Sequence, residues 1–307
     1  MADGSAALSE MGLPPLPLEE WEDSKETLHR YCQIVGKIRM ELSPYRNHWW
    51  HVTLYVNPRG LTTGPIPYPA GTFDISFDLL DNRLVVTTSE GGGFAFAIDD
   101  LPVAGFYGRL MGGLAASGVE VSINTTPFGL DDEHTLDANI HHSACERSYV
   151  RRFHRVLSWV DQVFKEYAGR FNGKQSPVHL YWHSFDLAVT RSSGKRAQLP
   201  EDTDSVTREA YSHEVISCGF WAGDQNVREP AFYSYTAPEP EGLNGRLLKP
   251  EAASWQEGGT ALLTYEEVRG SASPKDTLLE FLQSAYEAGA KTANWDIEDF
   301  RARPAER

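Results

Sequence analysis

"SPVHLYWHSFDLAVT", residues 176–190, has the composition of a buried strand, yet strand alternation places His179, Tyr181, His183 and Phe185 on one face. The other face, Val178, Leu180 and Trp182, is ordinary core. A merely solvated face favours Lys, Glu and Thr; His, Tyr and Phe instead mark a half-buried surface that needs hydrogen bonds. Upstream, "SYVRRFHRVLSWVDQVFKEYAGRF" (148–171) has helical spacing. Downstream, "SHEVISCGFW", "AFYSYTAP" and "TALLTYEEV" predict strands, and "PKDTLLEFLQSAYEAGA" predicts a closing helix.

The same order of elements occurs earlier in the chain. From Ser24, an available N-cap, to Leu42, the residues Leu28, Tyr31, Ile34, Val35, Ile38 and Leu42 recur at helical spacing, and Pro44 follows the end. "HWWHVTLYV" and "FDISFDLLDNRLVVTTSEGGGFAFAID" predict a meander broken at "DN" and "GGG"; "VAGFYGRLMGGLAASG" predicts a helix closing at Gly118, and "VEVSINTTP" one more strand. "LHRYCQIVGKI" echoes "FHRVLSWVDQV" at His29 and His154, and His51 and His179 each stand eleven residues before a threonine, Thr62 and Thr190. The expected fold is α+β with two tandem related halves, residues 17–128 and 148–300. Each half is a helix, an antiparallel β meander and a closing helix, packed about a pseudo-twofold axis. Residues 129–147 are expected to link them, and 1–16 and 301–307 to be tails.

Composition narrows the function classes. The chain has 307 residues, 41% of them hydrophobic, and a formal net charge of −15 with no basic run, which disfavours nucleic acid and anionic lipid as partners. No window approaches ~18 consecutive apolar residues, and the N-terminal stretch lacks the basic and apolar regions of a secretory signal, so a cytoplasmic location without membrane insertion is expected. Cys32, Cys145 and Cys218 are too few and too scattered for a disulfide framework or a CxxC site. The sequence leaves the oligomeric state open.

Strand alternation in the first half puts Trp50, Val52, Leu54 and Val56 on the core face and His51, Thr53, Tyr55 and Asn57 opposite. "REAYSHEVISCGFW" adds Tyr211 and His213 on one face, with Glu214 on the other. The candidate catalytic residues are His51, His179, His213 and Glu214, because imidazole moves protons near neutral pH and Glu214 is the nearest carboxylate in sequence. The same four are candidate ligands for a divalent transition metal, Fe, Zn or Mn. Tyr55, Tyr181, His183, Tyr211 and Asp186 are candidate substrate-binding residues, and Arg191 and Arg208 are candidate anion anchors. His179 and His183 would lie about 13 Å apart on an extended strand, too far to share one ion. "HE" at 213–214 is not HExxH, and "GGG" at 91–93 suits a hairpin, so no nucleotide cofactor motif is present.

The segments "NHWWHVTLYVNPRGLTT", "KQSPVHLYWHSFDLAVTRSSGKRA", "REAYSHEVISCGFW" and "AFYSYTAPEPEG" resemble those of a bacterial family of unknown function, DUF5996, over roughly residues 17–297. The resemblance carries no established catalytic residues. Two departures from it, His183 where a small residue such as Gly is expected and Ser192 where an aromatic is common, shift weight to His51, His179 and His213. The expected function is an enzyme acting on a small anionic, partly aromatic or apolar substrate in a pocket between the halves. It would be either a metal-dependent hydrolase or oxygenase, or a metal-independent acid–base enzyme. The alternatives are a non-catalytic small-molecule binding or sensing protein using the same pocket, and a structural partner protein with an exposed aromatic patch.

Overall fold

The structure, a computed structural model, describes residues 12–302. Helix α1 (Glu22–Leu42) is its axis: nearly every side chain from Ser24 to Arg39 is buried, charged ones included. An amphipathic helix lying on one sheet buries a single stripe. This one is surrounded, so its charges need internal partners. Arg30 pairs with Asp132 at 2.7 Å, Gln33 exchanges hydrogen bonds with the backbone of Phe128, and Lys37 donates to the Thr126 carbonyl at 2.8 Å. The polar segment after residue 119 is therefore the wrapping of α1. "VEVSINTTP" joins no ladder; Val119, Val121 and Ile123 pack on the core while its carbonyls serve α1, which corrects the strand expected there.

The first half is an antiparallel sheet of β1 (Tyr55–Asn57), β2 (Gly60–Thr62), β4 (Gly71–Asp78), β5 (Arg83–Thr88) and β6 (Gly93–Ala97) in that order, with β3 (Ile66–Tyr68) pairing β4. Helix α2 (Val103–Ala116) closes it, and Gly118, at φ +77°, supplies the left-handed residue that ends the helix. In the second half α3 (Arg147–Ala168) precedes a sheet ordered β11 (Ser254–Trp255), β12 (Ala261–Thr264), β10 (Ala231–Ala237), β9 (His213–Trp221), β8 (Asp186–Arg196), β7 (His179–Tyr181). Helix α4 (Ser205–Ala210) precedes β9, and α5 (Tyr265–Gly270) and α6 (Pro274–Thr292) close the chain.

The sheets meet at their edge strands, where Leu54 and Leu180 exchange backbone hydrogen bonds of 2.9 and 2.8 Å. Two helix histidines reach across this seam. His29 of α1 donates from Nε2 to the His183 carbonyl and His154 of α3 donates to the Asn57 carbonyl, each at 3.2 Å.

Two expected strands are broken, and the breaks matter. Residues 176–190 form a hairpin: Tyr181 faces Asp186 across it and Phe185 turns the chain at φ +56°. His183 and Phe185 therefore do not share a strand face with His179 and Tyr181. In the first half a 3-10 turn, Asn47–Trp49, holds His48 and Trp49 at φ +60° and +58°, and the strand starts only at Tyr55. Alternation does not apply before Leu54, and His51, Val52, Thr53 and Leu54 are all buried. Helix α1 begins two residues before Ser24, whose Oγ accepts from the Glu146 amide at 2.9 Å. The docked chain also begins earlier than expected. Leu16 is buried and Tyr265 Oη donates to the Pro14 carbonyl at 2.8 Å, while the rest of the expected tails, 1–11 and 303–307, lies outside the described residues. Among the described residues no helix is long and apolar enough to cross a membrane.

Candidate functional site

Register assigns the second sheet's polar face. His179, Ala188, Gly219 and Tyr233 stand in one cross-strand row, and Tyr181, Asp186, Trp221 and Ala231 in the next. The small residues make room for rings: a Cβ on Gly219 would collide with the Tyr233 ring, which lies over the glycine. Tyr233 Oη and Ser184 Oγ both donate to Asp186, Tyr211 and Tyr235 bond through their hydroxyls at 2.9 Å, and Trp221 packs 5.0 Å from Tyr233. Burial raises the Asp186 carboxyl pKa against the opposing pull of Ser184, Tyr233 and His183. Gly219→Val should push the Tyr233 ring off this row. We expect a loss of about 1–3 kcal/mol in urea unfolding, with Gly219→Ala falling between.

The loop from the first half covers the end of this face. Trp50 and Tyr55 contact the His179 ring at 6.2 and 5.4 Å. Arg39 reaches from α1 beneath them, donating to the carbonyls of His51, Thr53 and Thr63 with its guanidinium 5.0 Å from the Tyr55 ring centre. His179 is fully buried, and burial, then Arg39 and Arg46, push its pKa down to about 3. Its Nε2, and likewise Thr53 Oγ1 and Trp221 Nε1, are buried without partners, which is costly unless a ligand or water meets them.

At the outer end stands a second cluster. His48 Nδ1 donates to the Glu209 carbonyl at 3.3 Å, so Nε2 is the acceptor for Lys174 Nζ at 2.6 Å. Glu209 Oε1 accepts from the His48 amide at 2.8 Å, holding the left-handed turn. The His213 ring lies 5.5 Å from His48, and Lys174 Nζ lies 5.6 Å from the Trp50 ring centre. Burial and then Lys174 lower the His48 pKa; burial, Lys174 and Arg196 lower that of His213; burial lowers that of Lys174. Register brings Arg196 opposite His213. Lys174 thus acts on His48 and His213, Arg196 on His213, and Arg39 and Arg46 on His179, with the Glu209 carboxylate pulling the other way on His213.

The expected residues divide accordingly. His179, Tyr181, Tyr55, Asp186 and Tyr211 lie along the polar face, and His213 lies at its outer end. His51 sits behind the loop, stacked on Trp49 at 5.7 Å with Nδ1 accepting from the Arg46 amide at 3.3 Å. His183 is exposed in the hairpin turn, 5.7 Å from the Phe128 ring. Glu214 alternates away from His213 and accepts from Ser193 Oγ at 2.7 Å. His51, His179, His213 and Glu214 therefore occupy separate places, and among the described residues no three His, Cys, Asp or Glu side chains group as metal ligands. Arg191, five positions from Asp186 on β8, points to the opposite face. There Tyr167, Phe171 and Tyr286 enclose its guanidinium at 3.6, 5.0 and 4.4 Å and Tyr167 offers a carbonyl, so it is a core residue and no anion anchor. Arg208 binds the carbonyls of Pro200, Glu201 and Thr203, which corrects its expected anchoring role.

Lys174, Glu209, Trp50 and Arg39 had no sequence signal beyond residue type. They come from four separate segments. Two surface depressions, of about 640 and 390 Å³, lie elsewhere, beside Asn172 and Asp299 and beside Glu266 and Thr277.

A family model described as a family of unknown function, DUF5996, matches residues 13–302. No curated protein and no solved structure matches the chain.

Proposed function

The chain belongs to the family of unknown function DUF5996, and on that premise we propose that it is an enzyme acting on a small anionic, partly aromatic or apolar molecule. The observation that carries this reading is the meeting of Lys174 Nζ, 2.6 Å from His48 Nε2, with His213 and Arg196 at one end of the polar face in a chain of net charge −15. Acidic chains ordinarily spread their few cations among carboxylates. Here the anion that balances them is the ligand's. His48 and His213, neutral near pH 7, serve as general bases, Arg196 holds the anionic group beside Lys174, and Trp50, Tyr181 and Tyr233 face the ring or apolar part. His48 and Trp49 in left-handed backbone support a functional role for this turn, since such strain is retained where geometry is needed.

Thermal unfolding with sodium benzoate against neutral benzyl alcohol tests the site. Benzoate should stabilise the protein more, and Arg196→Ala should weaken its binding at least about tenfold, roughly 1.4 kcal/mol. Equal effects of the two compounds sink the reading. Turnover is tested by incubating the protein with a panel of aromatic and aliphatic carboxylates followed by NMR. Substrate loss that His48→Gln abolishes supports an enzyme; carboxylates that bind and stay unchanged favour the alternative, a non-catalytic binding or sensing protein. The unpartnered His179 Nε2, Thr53 Oγ1 and Trp221 Nε1 fit either form, because both need a ligand to meet them.

We further infer that the halves are tandem copies about a pseudo-twofold axis through the Leu54–Leu180 seam. The reciprocal bonds of His29 and His154 to the opposite half support this, since they pair Asn57 with His183 at the same sequence offset that pairs Leu54 with Leu180. On that register His179 corresponds to Thr53, its companion among the unpartnered atoms, and not to His51.

A further inference from the structure

We propose that Lys174 is a carbonyl-condensing amine: its Nζ forms an imine with an aldehyde or ketone group on the anionic ligand, and His48 moves the protons. The inference rests on the anion-site reading above and adds the ligand's reactive group. Lys25, Lys165, Lys249, Lys275 and Lys291 each have a carboxylate within ion-pair distance, which holds an ammonium in its charged form. Lys174 meets an imidazole nitrogen at 2.6 Å instead, above the Trp50 ring and close to His213 and Arg196. Because Nδ1 of His48 is committed to the Glu209 carbonyl, the lone pair on Nε2 faces the amine. Lys174 is also solvent-exposed, so a dissolved carbonyl compound reaches it, and its partial desolvation favours the uncharged amine against the opposing pull of Glu209.

The step balances without a further reactant. The Nζ lone pair adds to the carbonyl carbon while the C=O π pair moves to oxygen, which takes up a proton from solvent, so that the product is the protonated imine. The nitrogen loses a proton to His48 Nε2. His48 returns it to the new hydroxyl, which leaves as water as the C=N bond forms; addition of water reverses the sequence.

Pyridoxal 5′-phosphate, an anionic aromatic aldehyde, is the probe, applied to the full chain with sodium borohydride and mapped by peptide mass spectrometry. Lys174 should be labelled at least about tenfold faster than exposed Lys195, since a positioned general base contributes at least that much. Lys174→Arg should remove that label. His48→Gln, checked for intact fold by circular dichroism, should slow labelling of Lys174 to the rate of Lys195. Labelling spread evenly over Lys174, Lys195, Lys249 and Lys275 overturns the proposal, as does an unchanged rate in His48→Gln. If benzoate stabilises the protein while Lys174 shows no preference, the anion site stands and the imine falls. If Lys174 is labelled fast while benzoate neither stabilises nor protects, the assigned ligand class is wrong.

Discussion

Acidification from pH 7 to pH 5 is expected to remove about 4 kcal/mol of folding free energy. His29 and His179 are buried and hold pKa values of about 4 and about 3, against 6.5 for an exposed imidazole, with burial the leading cause for each. Below pH 6.5 the unfolded chain takes up protons that the folded chain refuses. Stability is therefore complete above 6.5 and falls as pH drops, until the folded pKa values are reached. Each histidine contributes about 2 kcal/mol over this interval, at roughly 1.4 kcal/mol per pH unit. Set against a typical 5–15 kcal/mol for a whole domain, that is a large fraction. Asp186, raised by burial, works in the opposite sense, and the lowered carboxylates such as Glu26, at about 2, lose their contribution below this window. Urea midpoints at pH 7, 6 and 5 measure the effect. His29→Gln should flatten the dependence by about half. A midpoint independent of pH would show that these imidazoles accept protons in the folded state.

Trp182→Ala is expected to cost about 3–5 kcal/mol, the range for deleting a large buried aromatic side chain. The indole lies against Gly36 of α1, where any Cβ would collide with it, and its Nε1 donates to the Val52 carbonyl at 2.8 Å. One side chain thus ties the second half's hairpin to the first half's helix and loop. Trp182→Phe keeps most of the packing and gives up that hydrogen bond, so a loss of about 1 kcal/mol is expected from the bond alone. Gly36→Leu should destabilise through the same contact from the other side. Hydrogen exchange supplies a second readout, because the amides of Leu54 and Leu180 bond only across the seam that Trp182 braces. Denaturant midpoints for Trp182→Ala matching the parent would mean that the halves are held together elsewhere.

How far the candidate site was legible depended on whether each residue lay in a regular element. Tyr181 and His213 lie in strands, where period-two alternation holds, whereas Asp186 comes onto the same face through the hairpin and Tyr211 through the end of helix α4, before β9 begins. Alternation also correctly separates Glu214 from His213, and the sequence argument erred by pairing them on adjacency. His183 was misplaced because a hairpin turn with φ +56° at Phe185 breaks the period. His48 was hidden for a related reason. A strand pattern read through "HWWHVTLYV" does not hold before Leu54, since the chain there runs through two left-handed residues, although Val52 is core as the pattern has it. Arg191 was misjudged because a rare arginine invites an ionic reading, whereas three aromatic rings and a carbonyl enclose it in the core.

Local pattern alone determined the α+β class, the main helices, the two antiparallel meanders and the presence of a histidine- and tyrosine-rich face. All of these follow from periodicities of two and 3.6 residues that tertiary packing does not alter. Tertiary structure alone decided that the two sheets meet through Leu54 and Leu180, that α1 is buried on every side, and that Lys174, His48, Glu209 and His213 share one place. Those four residues come from three stretches of chain far apart in sequence. Their meeting depends on which sheet edges pair and on a turn held in left-handed backbone, and neither leaves a periodic trace in the residues that make it.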